Sequence, residues 1–296
     1  MNERFAAEPT TCDSSIELKH LFEKFGPATG RYLAAYPDLG WERRVLEHIA
    51  EWKQLEQEKA KVLLRRAKER CSLVYARGVA YQDEEAWVRN VERTQASAAR
   101  FDGVVVSRAN AGAFPSLDEF DLPPTSAGPV EAKCGEYARV SRTLLMASPE
   151  LHLIDAYLDP CDTLRKIVLQ AMLGVAAGGR CKSVHIWVRE DRLKRSLVET
   201  KQELIRIARR AGFTGARQLD LHCFTDAGRD TKVHDRYLLS LHGAIRFEHG
   251  FQELTGARTA NVAPESRSNH EHLVSQFLES KHDLLVETIA IDVSSL

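Results

Sequence analysis

Leu151-His-Leu-Ile-Asp-Ala-Tyr-Leu158 is apolar at most positions and runs into Asp159-Pro160, where the proline restricts the residue before it; the stretch reads as a buried strand. The segments on its C-terminal side decide the fold. Periodicity predicts a helix over 161–177, a strand over 183–189, a helix over 193–211 and a strand over 218–224. After a turn at Asp226-Ala-Gly228 come strands over 233–241 and 244–247, a helix over 270–281 and a closing strand over 284–293. Strands alternating with helices of this length form βαβ units and a sheet covered on both faces. The expected class over 136–296 is α/β, its first helix carried by Tyr137, Val140, Leu144 and Leu145.

Upstream the texture changes. Between 109 and 129, Gly112, Pro115, Pro123, Pro124, Ser126, Gly128 and Pro129 leave no periodicity, so 109–135 is expected to be a linker. Residues 1–108 are expected to form a mainly helical region, with a polar opening as far as Ser15. Ile16, Leu18, Leu21, Phe22 and Phe25 recur at helical spacing until Gly26-Pro27 stops them. From 41 to 75 no Pro or Gly intervenes, and Val45, Ile49, Trp52, Leu55, Val62, Leu63, Ala67 and Cys71 share one side, which predicts a single long helix. Asp83-Glu-Glu-Ala-Trp87 opens another, with acidic residues where the helix dipole favours them. Phe101-Asp-Gly-Val-Val-Val-Ser107 reads as a short buried strand.

The 41 basic and 42 acidic side chains nearly cancel, to a formal charge of -1, which excludes a strongly basic nucleic-acid coat; any polyanion site has to be local. With 44% hydrophobic residues among 296, the chain can bury a core, which excludes disorder throughout. Cys12, Cys71, Cys134, Cys161, Cys181 and Cys223 form no C-x-x-C pair, so reduced thiols in a cytoplasmic protein are expected, and no structural zinc. No secretion signal is read at the start, and no run reaches the ~18 apolar residues that span a bilayer, so no membrane partner is expected.

The densest polar cluster is Lys232-Val-His-Asp-Arg236, followed by Tyr-Leu-Leu-Ser-Leu-His-Gly-Ala-Ile-Arg246-Phe-Glu-His-Gly-Phe251. On a strand, His234 and Arg236 project from one face and Asp235 from the other. An imidazole beside a guanidinium fork suits a phosphate; the plainer reading is a strand-edge histidine and a solvated arginine paired with a carboxylate. Lys59, Lys61, Arg65, Arg66 and Lys68 on the long helix suit a nucleic-acid backbone, or a solvated face of Glu–Lys pairs. His185, His222, His242 and His249 match no ligand spacing with His234, and no carboxylates are placed with them, so no metal is expected.

His234-Asp-Arg-Tyr-Leu-Leu and Gly243-Ala-Ile-Arg-Phe-Glu-His-Gly-Phe251 resemble the H-D-R motif and trailing glycine pattern of a group of bacterial phospholipase-D-like domains. They also resemble the related C-terminal domain of eukaryotic MIT-domain proteins. Leu153-Ile-Asp-Ala-Tyr-Leu-Asp-Pro160 is similar to the group's strand motif, with the order Asp-Ala-Tyr as a departure, and Val184-His-Ile-Trp187 stands where the group has its second strand. The resemblance covers the C-terminal half. It implies a phospholipase-D-like mixed sheet and a phosphate-bearing ligand held by Asp155, Tyr157, His185, His234, Arg236 and Arg246.

Catalytic members of the superfamily carry H-x-K-x-x-x-x-D twice, one histidine attacking phosphorus and the other protonating the leaving group. Here Arg236 stands at the lysine position and Leu241 at the aspartate position, so the domain is expected to be degenerate and to bind rather than cut. Were it active, His234 and Arg236 would be catalytic in a metal-independent nuclease or phosphodiesterase working as a homodimer. The resemblance further implies a nucleic-acid-binding component of a bacterial conflict or antiphage system. A third reading is a structural module whose N-terminal helices dock a protein partner. No cofactor is expected.

Overall fold

The computed structural model describes residues 3–26, 29–38, 40–76, 79–97, 100–121, 129–225, 235–279 and 285–293. The chain divides into two units, 2–124 and 125–296. In the first, β1 (Glu3–Ala7), α1 (Ser15–Glu23), β2 (Arg31–Ala35), α2 (Gly40–Ile49), α3 (Gln54–Glu69), β3 (Leu73–Tyr75), α4 (Trp87–Gln95) and β4 (Gly103–Val105) follow in order. The strands form a parallel sheet, ordered β3-β2-β1-β4.

The helices expected here are present, but they cover a sheet of which only β4 was legible. Glu3-Arg-Phe-Ala-Ala7 and Arg31-Tyr-Leu-Ala-Ala35 lack the β-branched residues that mark strands. Their alanines serve close packing instead: Ala7 and Ala35 lie under Leu18, Trp41, Val45 and Leu64, and Ala6 and Ala34 lie on the other face with Trp87 and Val91. The single long helix expected over 41–75 is two helices and a strand. Gln57 Nε2 donates to the carbonyls of Ala50 (3.0 Å) and Trp52 (2.7 Å), satisfying backbone acceptors at the end of α2 and holding the break. Cys71, at φ 55°, then ends α3 in the left-handed region before β3.

The second unit holds β5 (Pro129–Glu131), α5 (Cys134–Ala147), β6 (Glu150–Ile154), α6 (Thr163–Ala177), β7 (Ser183–Arg189), α7 (Leu197–Ala211) and β8 (Gln218–Phe224). It continues with β9 (Tyr237–Ser240), β10 (Gly243–Phe247), β11 (Thr259–Pro264), α8 (Arg267–Val274), a π-helical turn Ser275–Glu279 and β12 (Leu285–Ile291). Among the described residues the sheet runs β12-β8-β7-β6-β9-β10-β11-β5. β6, β7 and β8 are parallel and the other pairings antiparallel, so the class is α/β with a mixed sheet covered by helices. β5 and β11 went unread, β5 because it lies in the Pro- and Gly-rich stretch expected to be linker. Residues 103–121 of the first unit likewise carry structure, so the described part of the expected linker, 109–121 and 129–135, belongs to the two units.

Leu151, Leu153, Val184, Ile186, Leu219 and Leu221 are fully buried on one face, with the buried rows of α5, α6 and α7. On the opposite face Ile154, Trp187, Tyr237 and Leu239 pack against Leu273 of α8 and Phe277 of its π turn. From β6 the chain builds outward through β7 and β8 on one side, and through β9, β10 and β11 on the other. The order therefore reverses between β6 and β9, and open α/β sheets take their ligands outside the carboxyl ends of strands at such a point. No helix among the described residues is long and apolar enough to cross a membrane.

The turn between β9 and β10 carries a titration that stability should follow. Burial, with Arg180 and His270 adding to it, pushes the His242 pKa below the ordinary histidine value. The folded state then resists a proton that the unfolded chain accepts, so the contribution is intact above the unfolded pKa and is lost as pH falls below it. Urea midpoints should drop from pH 7.5 to 5.5, by at most ~1.4 kcal/mol per pH unit for this group, and the drop should shrink in His242→Asn. An equal drop in both proteins would assign the effect to other groups.

Candidate functional site

Asp155 directly follows β6 at the point where the strand order reverses, and it is 2% exposed. Its Oδ1 accepts from the Tyr157 N–H at 2.9 Å and its Oδ2 from the Phe251 N–H at 3.1 Å. Burial pushes its carboxyl pKa up, against the opposing pull of those two N–H groups and of Arg236. Arg236 stands beside it, Nε 3.8 Å from Asp155 Oδ1, while Nη1 donates to the Glu248 carbonyl at 3.0 Å. At 3.8 Å the ion pair is too long for a hydrogen bond, and the buried Nε has no hydrogen-bond partner.

The strand expected over 233–241 begins only at Tyr237, so Arg236 sits at its entry and not within it. Its carbonyl still accepts from the Phe247 N–H at 2.9 Å, and Asp235 Oδ2 accepts from the Tyr237 hydroxyl at 3.0 Å. His234 lies outside the described residues, and with it the expected same-face pairing with Arg236.

Tyr157 gathers further cations. The guanidinium carbons of Arg189, Arg192 and Arg236 lie 5.5, 5.1 and 5.2 Å from its ring centroid. The sheet brings the first two there, because Ile154 is in register with Trp187 and β7 ends at Arg189, with a 3-10 turn through Arg192 behind it. Asp191 holds both, 2.6 Å from Arg189 Nε and 3.7 Å from Arg192 Nε. Three guanidinium groups thus meet around one ring at this strand end, with the carboxylates of Asp155 and Asp191 beside them.

A glycine lets the loop close. Gly250 has φ +72°, and a Cβ there would fall 2.3 Å from Asp155 Oδ2 and 3.3 Å from Arg236 Cγ. Only a residue without a side chain lets the Phe251 N–H reach the carboxylate in this conformation.

Of the expected ligand residues, Asp155, Tyr157 and Arg236 come together. Arg246, on β10, pairs with Glu265 at 3.3 Å instead. His185 lies four residues before Arg189, roughly 13 Å along the strand, stacked between His152 and His222. The basic residues of α3 belong to the other unit, and most face a carboxylate: Lys59 with Glu56 (2.9 Å), Lys61 with Glu58 (2.8 Å), Arg65 with Glu69 (3.8 Å) and Lys68 with Glu42 (3.1 Å). Arg66 lines, with Lys59, an apolar groove that also includes Ile16 and Leu55. Such exposed pairs contribute little to stability. Arg189 and Arg192 went unread; their signal was position, at the carboxyl end of the strand paired with the one that ends at Asp155.

No protein-family model and no curated protein matches the chain. Among solved structures, one described as "Structure of TrmBL2, an archaeal chromatin protein, shows a novel mode of DNA binding" is similar at 13% identity over 80% of this chain and 67% of that one. Its TM-score is 0.28, too low to bear on fold or function.

Proposed function

We propose that the C-terminal unit is a degenerate phospholipase-D-like domain that binds a phosphate-bearing ligand, nucleic acid, at the Arg236 end of its sheet. The observation that carries this is the buried Arg236 Nε, left without an acceptor among three guanidinium groups where the strand order reverses. An unsatisfied buried donor costs about 1–3 kcal/mol, and a phosphate oxygen offers both the acceptor and the charge that would relieve it. Asp155 orients the guanidinium without occupying that donor. Binding is favoured over cleavage because Leu241, at the superfamily's aspartate position, is 59% exposed and apolar. A place in a bacterial conflict or antiphage system belongs to the same proposal and rests on the motif likeness.

Fluorescence anisotropy with single-stranded DNA and RNA oligonucleotides tests it. Arg236→Ala should weaken binding about 10- to 150-fold, the equivalent of roughly 1.5–3 kcal/mol for a charge-assisted contact. Arg192→Ala, at an exposed site, should weaken it less, and affinity should fall with salt. Binding that ignores both substitutions and salt would overturn the assignment. Cleavage in chelator that His234→Ala abolishes while binding survives would replace it with an active phosphodiesterase.

A further inference from the structure

A second cluster lies on the α8-side face of the same sheet, along the middle of its strands. Register aligns His152 with His185 and His185 with Asp220, then Trp187 with His222 and His222 with Thr288. Period two turns all of these side chains to one face. Their rings stack, His152 on His185 at 4.6 Å, His185 on His222 at 5.2 Å and Trp187 on His222 at 4.2 Å. Two donor triads result, each with its atoms within 4.8 Å of one another: Glu150, His152 and His185, and His185, Asp220 and His222.

Hydrogen bonding separates the triads. The Trp187 indole N–H, which can only donate, points at His152 Nδ1 at 3.1 Å. His152 Nδ1 is therefore the acceptor, and Nε2 carries the proton that faces Glu150 Oε1 at 2.9 Å. That nitrogen has no lone pair to give, so the first triad is closed to a cation. In the second, His185 Nδ1 lies 3.0 Å from His222 Nε2 and 3.3 Å from Asp220 Oδ2. Tetrahedral zinc with bonds of about 2.0–2.1 Å sets its donors roughly 3.3 Å apart. The outer nitrogens are also held. His185 Nε2 is 3.5 Å from Glu150 Oε1 and His222 Nδ1 is 2.9 Å from Thr288 Oγ1, the arrangement that aims the inner nitrogens of metal-bound histidines.

We propose that His185 Nδ1, Asp220 Oδ2 and His222 Nε2 bind one divalent transition-metal cation of the zinc class. His185 and His222 are half-buried and Thr288 is exposed, so three protein donors leave a coordination position open to water, as in catalytic rather than closed structural sites. Whichever ring of the His185–His222 hydrogen bond holds the proton, binding moves it to that ring's outer nitrogen, where Glu150 or Thr288 accepts it, and frees the inner nitrogen for the metal. The site is independent of the Arg236 cluster and needs neither phosphate nor His234.

Titration of the metal-stripped full chain with Zn2+ by calorimetry, and with Co2+ by visible absorption, decides it. The expected result is one equivalent bound with the d–d bands of a nitrogen and oxygen ligand set. Affinity should fall at least 100-fold in His222→Gln and Asp220→Asn and about 10- to 100-fold in Thr288→Val, and should stand unchanged in His152→Gln. His222 is half-buried, so its variant should remain folded; a circular-dichroism melt checks this, and Thr288→Val, at an exposed residue, gives an independent reading. No binding by the native chain overturns the proposal, as does binding retained in His222→Gln. Loss of binding in His152→Gln would move the metal to the other triad, and thiolate charge-transfer bands would move it to cysteines; either outcome refutes the assignment.

Discussion

Asp155→Ala should lower the stability of the C-terminal unit by about 3–5 kcal/mol, a range typical of breaking a buried ion pair from one side. The carboxylate is the acceptor for the Tyr157 and Phe251 N–H groups and the counter-charge of Arg236. Alanine leaves two buried backbone donors unpaired, each costing about 1–3 kcal/mol, and leaves the guanidinium, though still bonded to the Glu248 carbonyl, without its counter-charge beside the arginines around Tyr157. Asp155→Asn keeps an acceptor oxygen but loses the charge, and should cost about half as much. The double variant Asp155→Ala, Arg236→Ala should be less destabilised than the sum of the two single changes, because the second removes the charge that the first strands. Urea unfolding followed by circular dichroism measures the four variants against the wild type. Additivity within about 0.5 kcal/mol would mean the two side chains are not coupled.

Gly250→Ala should cost about 2–4 kcal/mol and weaken oligonucleotide binding together with stability. At φ +72° an alanine pays roughly 1–2 kcal/mol for the left-handed conformation alone. Its Cβ, 2.3 Å from Asp155 Oδ2, also has to push the carboxylate off the Phe251 N–H and away from Arg236. Gly256 supplies the control: it has φ +73°, but an added Cβ would meet nothing within 4 Å. Gly256→Ala should therefore show the conformational cost only, and the excess at 250 reports the collision with Asp155. Equal losses at both positions would show that the loop yields without disturbing the carboxylate.

Local pattern carried the C-terminal architecture a long way. The strands expected over 183–189 and 218–224 are β7 and β8 at those bounds, because Val184, Ile186 and Val188, and Leu219, Leu221 and Cys223, recur with the period of two of a strand, and the helices before them stop at Gly178 and Gly212. Asp155 was legible for the same reason, as the first charged residue after an apolar strand. β1 and β2 were not, since alanines chosen for close helix packing carry no strand signature, and the break after α2 depends on a side chain, Gln57, that reaches back to Ala50 and Trp52.

By itself, then, the sequence determined the alternation of strands and helices, the class of the C-terminal unit, and the presence of Asp155 and Tyr157 in one segment and Arg236 in another. Only the tertiary structure decided which side chains meet. Arg189 and Arg192 reach Tyr157, and Asp220 reaches His185, through the register of neighbouring strands. Register is settled by which faces must be buried across the whole sheet, and a slip of one residue would turn each of these side chains to the opposite face, so no window along the chain contains it.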